Sequence, residues 1–107
     1  MQLNIQQGYP DYIGRRLAFC GSGVGPTSYS QSTGDVLQPF AFQTYYDSVF
    51  IGESVSGTYY ARARPSNAGP RQTWAIHWYV VATNAEVANA VNLSAETLVV
   101  SGFAGRY

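Results

Sequence analysis

The sequence has no lysine, one cysteine, one histidine and only 11% charged residues. Each scarcity removes a class of function. Cys20 stands alone, so no intrachain disulfide can staple the chain. One cysteine and one histidine also speak against a zinc site, which takes four such ligands. Six arginines and six acidic residues cancel to a formal net charge of zero. Binding a phosphate backbone requires a cationic excess, so nucleic acid is not the expected partner. No apolar run approaches the roughly 18 residues of a membrane helix. Met1-Gln2-Leu3-Asn4 has neither the basic n-region nor the apolar h-region of a secretory signal. The expectation is a soluble product made in the cytoplasm, without membrane partner or cofactor.

What is present favours strands. A length of 107 residues sets one domain, residues 1–107, and 46% hydrophobic residues supply a packed core. Aromatics make up 15%, led by nine tyrosines, whose apolar ring and polar tip suit half-buried sheet faces and partner surfaces. All the basic residues are arginine, at positions 15, 16, 62, 64, 71 and 106. Interfaces are enriched in arginine and tyrosine and depleted of lysine.

Alternation marks the elements. Leu3, Ile5 and Gln7 give a weak strand stopped by Gly8 and Pro10, and Leu17 and Phe19 share one face of a clearer strand from Ile13 to Cys20. Gly21-Ser22-Gly23-Val24-Gly25-Pro26 reads as a flexible loop, and the polar stretch Thr27–Asp35 continues it or holds one short edge strand. Val36–Tyr46 reads as a second strand region with Phe40, Phe42, Thr44 and Tyr46 on one face, and Val49–Gly52 as a short strand or turn. Thr58–Arg64 and Arg71–Ala82 are the strongest strands, and the intervening Pro65-Ser66-Asn67-Ala68-Gly69-Pro70 makes them a hairpin. In the second of them Trp74, Ile76, Trp78 and Val80 are the chosen core face. Asn84–Ala95 is irregular, and Thr97–Phe103 is a last strand followed by a tail. The fold class is all-β, a β-sandwich or jelly roll of six to eight short antiparallel strands, with a small barrel also open.

Candidate chemistry is thin. Cys20 and His77 could be imagined as a nucleophile and base, a pairing that also needs oxyanion donors. Cys20 instead closes an alternating strand and His77 lies between Ile76 and Trp78, which suits structural roles. The glycines from 21 to 25 are followed by Pro26 rather than a helix, and no lysine is available, so they do not form a phosphate loop. Asp11, Asp35, Asp47, Glu53, Glu86 and Glu96 are scattered without metal-ligand spacing. No catalytic residue is assigned and the chain is read as a non-enzyme.

Two adhesive features remain. Tyr60, Arg62 and Arg64 share a strand face that Arg71 continues across the hairpin loop, and such side chains occupy the centres of interfaces. The same face read as a plain solvated strand surface stays open. The C-terminal Gly105-Arg106-Tyr107 reads as a mobile tail able to dock on a neighbour, or simply as a frayed end. The expected partner-binding residues are therefore Tyr60, Arg62, Arg64, Arg71, Arg106 and Tyr107.

The run from Ser56 to Pro65, Gly69-Pro70-Arg71-Gln72-Thr73-Trp74, the segment Trp78 to Val87, and Asn92-Leu93-Ser94-Ala95-Glu96 together resemble small virion proteins of tailed phages. Within that group the chain is similar, over roughly residues 9–107, to the head decoration (cement) proteins of short-tailed phages. The resemblance implies a jelly-roll-like domain on the capsid exterior, made in the host bacterial cytoplasm. It also implies homodimers or homotrimers bound to the major capsid protein that stiffen the shell. A carbohydrate-binding module or tail-fibre tip is the competing expectation, since exposed Tyr or Trp rings also serve as sugar platforms.

Overall fold

The computed structural model describes residues 1–13, 16–41, 44–66 and 73–106. Among these the chain forms eight strands and no helix: β1 (Leu3–Ile5), β2 (Asp11–Ile13), β3 (Arg16–Val24), β4 (Asp35–Val36), β5 (Thr44–Ile51), β6 (Tyr59–Pro65), β7 (Trp74–Val80) and β8 (Thr97–Arg106). They build two antiparallel sheets. The larger runs β1-β3-β8-β5, with β2 on the same flank of β3 as β1; the smaller runs β4-β7-β6. This arrangement is a β-sandwich in its coarse architecture.

Period-2 alternation explains the core. Leu17 and Phe19 of β3, Leu98, Val100 and Ala104 of β8, and Tyr46 and Val49 of β5 are buried on one side of the larger sheet. Ala61 of β6 and Ile76 and Trp78 of β7 meet them from the smaller sheet in one cluster. Trp74 and Val80 pack against the same cluster, so the face chosen from the sequence is the core face. Each fully buried side chain of this kind contributes about 1.5–3 kcal/mol of hydrophobic stabilisation.

Three sequence expectations need correction. The glycine run does not begin a loop: β3 continues through Gly21, Ser22, Gly23 and Val24, paired with β1 on one side and β8 on the other. Small size, rather than flexibility, is what the position requires, because a Cβ on Gly21 would stand 2.6 Å from the Asn4 carbonyl oxygen of β1. Val36–Tyr46 is not one strand region either. β4 ends at Val36 and β5 starts at Thr44. In between, Phe40 packs its ring 5.4 Å from Phe19 and 5.9 Å from Tyr46, while Phe42 lies outside the described residues. Finally, Gly105 and Arg106 are not a tail but the end of β8, in register with Tyr45 and Thr44 of β5. The irregular reading of Asn84–Ala95 agrees with a segment of turns joined to the sheet by a Tyr79–Glu86 bridge.

Candidate partner-binding face

The outer face of the smaller sheet is assembled by the β6–β7 hairpin. Alternation turns Ala61 into the core, so Tyr60, Arg62 and Arg64 face away from it. The register then sets Tyr60 opposite Tyr79, Arg62 opposite His77, and Arg64 opposite Ala75. The Tyr60 and Tyr79 rings stack with centroids 5.2 Å apart and planes 16° from parallel. The Arg62 guanidinium carbon lies 5.9 Å from the Tyr60 ring centre and 5.8 Å from that of Tyr79. Arg64 lies 6.0 Å from the Tyr79 ring centre and donates from Nη2 to the Tyr79 hydroxyl. Such cation–π contacts contribute about 0.5–1 kcal/mol each at exposed sites, which offsets part of the rotamer entropy of the two arginines. At the far end the Tyr60 hydroxyl donates to Asn84 Oδ1 at 3.2 Å.

Beside these side chains, on the same outer face, is a polar network. His77 is buried although it is on the side of β7 opposite the core. Its Nδ1 is 3.1 Å from Glu86 Oε2, and Gly34 closes over the other ring nitrogen, where a Cβ would come within 2.8 Å of Nε2. Gly34 has φ +67°, so the position demands glycine for both its backbone and its contact. A carboxylate only accepts, so His77 Nδ1 carries the shared proton. The buried Tyr29 hydroxyl donates to Glu86 Oε2 at 2.7 Å and accepts the Trp78 backbone N–H at 3.1 Å. Tyr29 thereby takes one N–H on the edge of β7 beyond the two residues that β4 covers, and the backbones of Val87 and Ala85 bond the Trp78 carbonyl and the Val80 N–H.

These contacts set the local proton affinities. Burial pushes the Tyr29 phenol well above its ordinary value, and the hydrogen bond to Glu86 pushes it further. For Glu86, burial raises the carboxyl, but the hydrogen bonds from Tyr29 and His77 and the charges of His77 and Arg64 outweigh it and hold the group low. A folded value below the unfolded one means a contribution to stability that is full above about pH 4.3 and is lost as pH falls through the folded value. Glu86→Gln is accordingly expected to flatten the acid limb of the stability curve, measured as urea midpoints at a series of pH values below about 5. An acid limb of unchanged slope would remove Glu86 from that role. A neutral, buried phenol is a poor nucleophile, so the network is suited to pinning loops to β7 rather than to bond making.

The other sequence candidates are dispersed. Arg71 and Tyr107 lie outside the described residues. Arg106 belongs to the larger sheet and so is not part of the Tyr60–Arg62–Arg64 face. Cys20 alternates with buried Phe19 and Gly21 on the outer side of that larger sheet, whereas His77 is on the outer side of the smaller one. The fold does not bring the two together. Sequence reasoning missed Tyr79, Glu86 and Tyr29. Cross-strand register would have placed Tyr79 beside Tyr60, but nothing local marks Tyr29, which reaches β7 from a long loop. Among the described residues no three His, Cys, Asp or Glu side chains are grouped as a metal site would need. No family model matches the chain, and comparison with curated proteins and with solved structures yields no match either.

Proposed function

We propose that this chain is a non-enzymatic decoration protein of jelly-roll type that attaches to the outer surface of a phage head and stabilises the shell. The observation that carries the reading is the Tyr60–Tyr79–Arg62–Arg64 cluster, half of it solvent-facing, on the outer face of the smaller sheet. The combination suits docking: aromatic area for burial, and guanidinia whose rotamers are already restricted before a partner arrives. The runs shared in character with decoration proteins support the choice of a capsid as partner. A ligand that binds only the assembled lattice adds its binding free energy to that lattice, and many copies, as dimers or trimers, multiply a modest single-site affinity.

The sugar-binding alternative has less support from the same cluster. Tyr60 and Tyr79 cover one another, and both guanidinia lie against them, which reduces the open ring area a pyranose would stack on. Heads of the phage that carries this chain, assembled without it, provide the test. Purified protein is expected to bind them saturably and raise their heat resistance. The double change Arg62→Ala with Arg64→Ala is expected to lower affinity at least about tenfold, as loss of interface arginines does. Absence of saturable binding by the unaltered protein would overturn the reading.

A further inference from the structure

Arg62 and Arg64 are next-but-one on β6, about 7 Å apart along the strand, with both guanidinia on one face. Neither is within ion-pair distance of a carboxylate among the described residues, whose ion pairs are Met1–Asp35, Arg16–Asp47 and His77–Glu86. The nearby acid, Glu86, is engaged by Tyr29 and His77. Among the described residues the face therefore presents two cations without a contact ion pair, Arg64 acting on Glu86 only at longer range, in a chain whose total charge is balanced. Beside Arg64 runs a groove of about 420 Å³ that also meets His77, its walls mixing the hydroxyls of Ser32, Thr33, Ser66 and Thr73 with apolar Val36 and Ala75.

We propose that this face, as the contact of the docking reading above, recognises carboxylates: it binds an extended acidic segment of the partner protein, with Asp or Glu side chains on Arg62 and Arg64 and the segment's backbone along the groove. Arg64 spends one Nη2 donor on the Tyr79 hydroxyl, and the remaining N–H groups of the two guanidinia can still present a planar fork to the two oxygens of a carboxylate. Two cations spaced by one strand repeat fit side chains at alternate positions of an extended peptide. The hydroxyls of the groove are uncharged donors and acceptors, suited to peptide N–H and C=O groups and indifferent to sequence. A phosphate dianion is the poorer match, because it concentrates its charge at one point, whereas carboxylates on alternate residues of an extended segment meet the two guanidinia separately. Nucleic acid would require more cations than this pair supplies.

The probe is a fluorescent Gly/Ser peptide bearing Glu at alternate positions, followed by anisotropy and compared with its Gln counterpart. The Glu peptide is expected to bind about fivefold more tightly than the Gln peptide, since two exposed Arg–carboxylate pairs each add only modestly in water. Its affinity is expected to fall with added salt, and to drop on Arg62→Gln or Arg64→Gln in variants whose circular dichroism is unchanged. Arg62→Lys should recover only part of the loss, because an ammonium keeps the charge without the fork. Equal binding of Glu and Gln peptides, or binding of neither, overturns the proposal. Inorganic phosphate competing as well as glutamate, or an oligogalacturonate binding in place of the peptide, overturns it in favour of those ligands. Heads that bind while the Glu peptide does not leave the docking reading standing and this one refuted. Peptide binding without head binding does the reverse.

Discussion

Trp78→Ala is expected to remove about 3–5 kcal/mol of stability, the range for deleting a large aromatic from a packed core. Domains of this kind are stable by about 5–15 kcal/mol in all, so the variant should be marginal or unfolded at ambient temperature. Trp78 is fully buried, sits directly across from Ala61 of β6, and meets the Tyr59 ring edge-on at 6.5 Å. The alanine across the ladder is too short to expand into the space. A second variant sharpens the result. The Trp78 Nε1 donor is buried and has no hydrogen-bond partner among the described residues, a defect that costs about 1–3 kcal/mol. Trp78→Phe discards that donor while keeping a ring, and is expected to lose less than half of what alanine loses. Urea unfolding followed by circular dichroism measures both. A phenylalanine variant as unstable as the alanine one would show that the indole volume, not the orphan donor, decides the balance.

Alkali is expected to unfold the protein more steeply than acid. Two phenols, Tyr29 and Tyr46, are buried in the core, and burial pushes both well above the ordinary tyrosine value; at Tyr46 a backbone hydrogen bond at Phe40 offsets only part of this. The folded values lie above the unfolded ones. Above about pH 10 the unfolded chain has released these protons and the folded one has not. The stability they provide is thus complete below about pH 10 and falls as pH rises toward the folded values, by about 2.7 kcal/mol per pH unit for two such groups. Unfolding midpoints and phenolate absorbance taken together across this range should move as one transition. Tyr46→Phe is expected to halve the slope, at the neutral-pH cost of its 2.6 Å hydrogen bond to the Gln38 carbonyl. Phenolate absorbance that rises before the fold is lost would show these hydroxyls to be accessible and remove the effect.

Both predictions rest on residues that the sequence treats very differently. Trp78 is legible: it stands in an uninterrupted alternation, and period 2 alone assigns it to a face. Tyr60, Arg62 and Arg64 are legible for the same reason. Tyr29 is not. It follows a glycine- and serine-rich stretch with no period, and its role comes from where a long loop returns, which depends on partners 48 and more residues away. Gly21 and Gly23 misled in a different way. Glycine is depleted in strands on average, yet here it is selected by the close crossing of β1, a tertiary constraint that propensity cannot express. Phe40 carried the right polarity for a strand and the wrong neighbours, because Pro39 and the break after Val36 let its ring pack without a ladder. The candidate site divides the same way: its arginines are a local pattern, and the Glu86–His77–Tyr29 support beside them is assembled by the fold.

The position of β8 has a consequence for the chain while it is being made. It lies between β3 and β5, pairing with Leu17–Val24 on one side and Thr44–Ile51 on the other. Until residues 97–106 leave the ribosome, each of these strands presents a bare row of N–H and C=O groups along its whole length, and no earlier segment is available to cover it. Unpaired edges of this kind recruit whatever extended chain is nearest, including another nascent copy. β8 therefore acts as a zip that joins the β1–β2–β3 part of the sheet to β5. The interval before it arrives is when this protein is most exposed to joining the wrong partner.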